Sequence, residues 1–185
     1  MLFKKLILNF ILFFNPLLVG LAIAEPCKEW VDGNSILEIK PYWEKVKPAS
    51  IISCLNDGQS LNVRDKMGRT PLHLAALYNQ DPKVIKLLIQ GGANLEARNA
   101  PGGTPLHDAA TRNQNPMVLE TLIRAGADIN AKNKNQWSPL HSTKFNKNND
   151  IIRLLLELGA NVNATDDMKR TPLHLTAPFG SIEKI

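Results

Sequence analysis

Thiols, spare histidines and an excess of either charge are all scarce in this sequence, and each scarcity closes off a class of function. Cys27 and Cys54 are the two cysteines in 185 residues, and with no histidine or further cysteine near either one a zinc site lacks ligands. The four histidines all fall inside one repeated phrase, so none is left over for general-base or metal duty. No phosphate-binding loop is present, and Gly102-Gly103 reads as a hairpin turn. The 22 basic and 17 acidic residues give a formal charge of +5. Without Lys4 and Lys5, which belong to a leading segment, the balance is +3, too even for a nucleic-acid surface.

A long apolar run stands at the start of the chain. Lys4 and Lys5 precede Leu6 to Ala24, and Ala22-Ile23-Ala24 places small residues at a cleavage position before Glu25. Residues 1–24 therefore read as a secretory signal peptide. The alternative is an uncleaved membrane anchor, because the run approaches the ~20 residues that span a bilayer, although Asn9, Asn15 and Pro16 interrupt it. A membrane contact is expected only on that alternative. In an oxidising compartment Cys27 and Cys54 read as a disulfide pair. The competing reading is two separate thiols, with Cys54 a small hydrophobe buried beside Ile51, Ile52 and Leu55.

What the sequence does contain is one seven-residue phrase, returning at almost constant spacing. Thr70-Pro71-Leu72-His73-Leu74-Ala75-Ala76 is echoed at Thr104–Ala110, Ser138–Lys144 and Thr171–Ala177, in steps of 34, 34 and 33. Each copy reads as a helix start. The Thr or Ser hydroxyl (Thr70, Thr104, Ser138, Thr171) accepts an otherwise unpaired backbone N–H, and proline fits the first helical position, where its missing N–H costs nothing. The histidine two residues after the proline (His73, His107, His141, His174) is placed to bond back toward the cap. A second helix follows at 82–90, 116–124 and 149–157, with an apolar stripe too wide for one partner helix. These helices need neighbouring repeats on both sides. Gly92, Gly126 and Gly159 end them in register, and Gly58 ends an earlier, degenerate helix at the same spacing.

A fixed period of this size with this phrase resembles the ankyrin repeat, and the resemblance covers the chain from about Pro41 onward. It implies an all-α solenoid of stacked helix-turn-helix pairs with projecting β-hairpins. The expected organisation is a signal peptide (1–24), an extension packed on the cap (25–40), a worn N-terminal cap repeat (41–64), repeats at 65–98, 99–132 and 133–165, and an incomplete one at 166–185. Three departures weaken the C-terminal half. Gln136 and Lys169 stand where Gly68 and Gly102 occupy the turn, and Lys144 replaces an alanine at a close helix contact. Its stem must snorkel outward or push the helices apart.

No residue stands out for catalysis. Equivalent histidines of stacked repeats are expected about a helix spacing apart, ~8–10 Å, too far to share one ion. His107 and Asp108 are adjacent on a helix and so do not face each other. Asn163-Ala164-Thr165 fits a glycosylation sequon but sits where the repeat pattern already accounts for it.

The resemblance implies instead that hairpin tips and the exposed face of the first helices bind another protein. By position those sites are Lys66, Met67, Arg69, Leu77, Tyr78, Arg112, Trp137, Phe145, Met168, Arg170 and Phe179, with Asn146 beside them. Aromatic residues, Met and Arg are the types enriched at interface centres. The alternative for Trp137 and Phe145 is packing over a loosened third repeat. The sequence thus leads us to expect an exported protein that binds a protein partner without cofactor or catalysis, in the cell envelope or periplasm. The alternatives are a secreted effector that binds host proteins and a fragment of a longer repeat protein.

Overall fold

A computed structural model describes residues 36–176. Four helix pairs and the first helix of a fifth follow one another: α1 (Ile36–Lys45) and α2 (Pro48–Asn56), α3 (Pro71–Tyr78) and α4 (Pro82–Gln90), α5 (Pro105–Arg112) and α6 (Pro116–Arg124), α7 (Pro139–Ser142) and α8 (Asn149–Glu157), then α9 (Pro172–Thr176). First helices pack in one file, α1 through α9, and second helices in another, α2 through α8. Between the files runs a single apolar core. The first helices contribute Leu72, Leu74 and Leu106, and the second helices Val84, Ile85, Leu88, Val118, Leu119, Leu122, Ile151 and Leu155, all fully buried. Helix α3 is buried along its whole length because α1 and α5 flank it, which is why its two alanines, Ala75 and Ala76, are needed.

The helix starts follow the local chemistry of the phrase. Asp81, Asn115 and Asn148 cap the second helices by accepting the N–H of Lys83, Met117 and Asp150 at 2.9, 3.0 and 3.0 Å. Gly92, Gly126 and Gly159 stop these helices at φ of 96°, 102° and 94°, in the left-handed region. Helix α1 starts at Ile36, ahead of the Pro41 expected to open it. Pro41 removes one backbone donor from the helix, and the Lys40–Glu44 ion pair at 3.2 Å spans the position.

One expectation is corrected. Among the described residues the segments between repeats are turns and not β-hairpins. Each is closed by few bonds, such as Asp65 N–H to the Arg69 carbonyl at 3.0 Å and Gly68 N–H to the Asp65 carbonyl at 2.8 Å, too short a ladder to make strands. The turns stack on one another instead, Ala100 N–H on the Met67 carbonyl at 2.8 Å and Lys134 N–H on the Pro101 carbonyl at 3.1 Å.

The third repeat is one residue short. Helix α7 passes after four residues into a 3₁₀ turn, Thr143–Phe145. Three residues of 3₁₀ helix rise about 6 Å, as do four of α-helix, so the tighter turn absorbs the deletion and the chain regains register at Asn146. Lys144 does snorkel, its Nζ lying 5.1 Å from the Trp137 ring centre and 4.8 Å from that of Phe145.

Gln136 and Lys169 take the left-handed conformation of the glycines they replace, at φ 58° and 61°. That conformation costs a side chain ~1–2 kcal/mol, of which glycine's extra unfolded-state freedom returns part. Gln136→Gly and Lys169→Gly should each stabilise the protein by about 0.5–1 kcal/mol in urea denaturation. A lower midpoint in both would mean that the turns hold no such strain.

Candidate functional site

The phrase that starts each first helix also ties it to the next repeat. Thr70 N–H points at His73 Nδ1 at 3.1 Å, with the Thr70 hydroxyl 2.9 Å from the same nitrogen. His73 Nε2 lies 3.1 Å from the Gly103 carbonyl, one repeat further on. A nitrogen facing an N–H must accept and one facing a carbonyl must donate, so the ring is the neutral Nε2–H tautomer. His107 repeats the arrangement between Thr104 and the Trp137 carbonyl at 2.9 Å, and His141 between Ser138 and the Arg170 carbonyl at 3.2 Å. His174 keeps the cap to Thr171 at 3.2 Å. Burial pushes His73 and His107 down to about 4 and lowers His141 as well. Asp108 does not meet its neighbour His107. Its carboxylate lies 3.4 Å from Asn99 Nδ2, and burial raises it to about 7 against the opposing influence of Arg69 and Asn99.

A second ladder, of asparagines, went unnoticed in the sequence. Asn113 Nδ2 donates to the carbonyls of Ala76 and Asn79, both at 2.8 Å, while its Oδ1 accepts Asn115 N–H at 2.9 Å. Asn79 does the same to Trp43 and Val46, and Asn146 to Ala110 and Asn113. The recurrence of Asn79, Asn113 and Asn146 at the repeat period was the available signal, hidden by the one-residue deletion. Asn146, expected at the binding face, is 4% exposed and belongs to this ladder.

With those positions occupied by structure, the remaining candidates sort themselves. Arg69 is buried, with Nε and a terminal nitrogen on Asp65 Oδ2 at 2.8 and 2.7 Å. Arg170 makes the same pair with Asp166 at 2.9 and 2.8 Å. Burial would raise Asp166, but the Arg170 side chain and the Arg170 and Met168 amides outweigh it and hold the carboxyl at about 2. Both arginines therefore close turns. Lys66, Met67 and Met168 are exposed at the turn tips, and Met168 is 72% exposed. Trp137 is partly buried, stacked on His141 with ring centres 6.4 Å apart and tilted on Phe145 at 6.1 Å. Phe179 lies outside the described residues, as does Cys27. Cys54 is fully buried in α2.

Leu77, Tyr78, Arg112 and Phe145 are brought together. They line a groove of about 420 Å³ across the C-terminal ends of the first helices, with Lys40 and Glu44 from α1, Thr111 from α5, and Gln80, Gln114 and Lys147 from the loops behind. Leu77 and Tyr78, expected to protrude, are buried and form the floor instead. The Arg112 guanidinium lies 5.7 Å from the Tyr78 ring centre, and Phe145 stands 59% exposed. Gln114 is braced by Nε2 on the Arg112 carbonyl and on Asn146 Oδ1, each at 2.9 Å. No group of three or more His, Cys, Asp or Glu residues is placed to hold a metal ion among the described residues.

The histidine ladder has a consequence in acid. A group held neutral in the fold at about 4, against an ordinary 6.5, takes up its proton earlier when unfolded, so its stabilisation is complete above pH 6.5 and disappears toward pH 4. At ~1.4 kcal/mol per pH unit the loss is roughly 3 kcal/mol each for His73 and His107. Asp108 has the opposite sign, since its cost is present above about 7 and relieved toward 3.8. Denaturation between pH 7 and pH 4 should therefore show stability falling more steeply in Asp108→Asn than in the unaltered chain. Equal slopes would contradict the assignment of Asp108.

Comparison with known proteins bears on the whole repeat array. No curated protein matches the chain. A family model of ankyrin repeats, three copies long, matches residues 46–133 and again residues 110–185. The two matches together take in the histidine and asparagine ladders, the stacked turns and all but the α1 edge of the groove, and on that extent the chain belongs to the ankyrin repeat family.

Proposed function

We propose that this chain acts by binding another protein in the groove between Leu77, Tyr78, Arg112 and Phe145, without a catalytic step, after export to the cell envelope or periplasm. Ankyrin repeats are in general protein-interaction modules. The observation that carries the reading is Phe145, a large apolar ring 59% exposed over a buried apolar floor, at the position just before the ladder asparagine, where other repeats carry Tyr78 and Arg112. The stack does not need it. An aromatic beside an arginine in a concavity is the composition of an interface anchor. Binding without catalysis is supported by the histidines, since both ring nitrogens of His73, His107 and His141 are engaged.

Export rests on Lys4-Lys5, the apolar run to Ala24 and the small residues before Glu25. A Cys27–Cys54 disulfide is part of the same proposal. It is supported by the absence of any free cysteine among the described residues. No helix among the described residues is long and apolar enough to cross a membrane.

A photo-reactive amino acid placed at Phe145 in the producing cells tests the reading, with the same group at the exposed Lys86 of α4 as control. The expected outcome is one discrete cross-linked protein from position 145, absent from position 86, in the osmotic-shock fraction, on a chain beginning at Glu25. With that partner, Phe145→Ala should weaken binding by about 2 kcal/mol and leave stability within about 0.5 kcal/mol. Equal adducts from both positions, or none from either, would contradict it.

A further inference from the structure

The groove has a charge that nothing around it answers. Among the described residues Arg69, Arg124, Arg153 and Arg170 each meet a carboxylate. Arg64 and Arg98 each donate to two carbonyls, at 2.7 and 2.6 Å and at 3.0 and 2.6 Å. Arg112 is the exception among the described arginines. Its guanidinium lies on the Tyr78 ring and has no oxygen partner there. A guanidinium held by its face keeps its edge donors, which match a carboxylate bidentately. Lys147, also in the lining, forms none of the ion pairs among the described residues. Lys144, next to Phe145, faces rings and no acid. The acid in the lining, Glu44, is paired with Lys40.

On the reading that the groove binds protein, we propose that its occupant is an acidic, extended peptide segment. An Asp or Glu carboxylate sits on the edge of Arg112, a second acid faces Lys147, and an apolar side chain rests against Phe145 over the Tyr78 floor. Charge complementarity selects the acid, and the apolar floor selects a peptide. A nucleic-acid strand would instead ask for a continuous row of cations with stacking platforms, and Glu44 in the lining works against phosphates.

The test is selection of random linear peptides on the immobilised full chain, followed by titration of the selected peptides against variants. The selected peptides should carry an excess of Asp and Glu next to an aromatic or branched apolar residue. Arg112→Glu and Lys147→Glu should each weaken them roughly tenfold or more, Lys86→Glu on the second-helix file should not, and rising salt should weaken them. Replacing the peptide acids by Lys should restore binding to Arg112→Glu. All three variants alter exposed side chains and should melt with the unaltered chain.

Peptides without acidic excess that still depend on Phe145 would overturn the acidic proposal while leaving the groove as a protein-binding site. No selection from a folded chain would overturn both. A single-stranded oligonucleotide that displaces the peptides and itself depends on Arg112 would replace the proposal with a nucleic-acid surface.

Discussion

The structure depends on side chains that hold the backbone of the neighbouring repeat. Each inner histidine caps its own helix with one nitrogen and reaches the carbonyl before the next helix with the other. Each inner asparagine takes two carbonyls of the preceding repeat and one N–H of its own loop. Apolar burial between helix files supplies most of the stability but tolerates sliding, since one leucine is much like another. Hydrogen bonds are directional, and although each contributes only about 1 kcal/mol net, leaving a buried carbonyl unpaired costs more. The ladders therefore fix register, one pointing forward along the stack and the other back.

Because register is fixed from within, the groove is free to vary. The positions just before the ladder asparagine carry Tyr78, Arg112 and Phe145 in successive repeats and line the groove, while cap, proline, histidine and asparagine positions repeat. The third repeat takes this furthest. Its deletion, its 3₁₀ turn and its left-handed Gln136 are all tolerated, and the same turn brings Phe145 to the groove with the Lys144 ammonium beside its ring. Local strain and an exposed ring coincide here, as they do where a fold gives up some stability for recognition.

Much of this was legible in the sequence. The second helices and the glycines that end them depend on residues within one turn of each other, and they stand where the spacing placed them. What escaped depended on contacts between repeats. Tyr78 has the position of an exposed residue on an isolated helix and becomes floor only because neighbouring first helices enclose it. Arg69 has the composition of an interface anchor, yet Asp65 four residues before it, matched by Asp166 before Arg170, was the visible mark of a turn-closing pair. Asn146 was misplaced because counting from Ser138 assumes α-helical rise throughout. The bond from each inner histidine's Nε2–H to a carbonyl of the next repeat had no mark in the sequence at all.

Ladder and groove are separate sets of residues. An alanine scan of the described residues, read once by chemical denaturation and once by binding of the cross-linked partner, distinguishes them. Two disjoint groups are expected. His73, His107, Asn79 and Asn113 should lower the denaturation midpoint while the folded fraction binds normally, and Arg112, Phe145 and Lys147 should leave the midpoint in place and lose binding. Groove substitutions that unfold the chain, or that leave binding untouched, would contradict this separation.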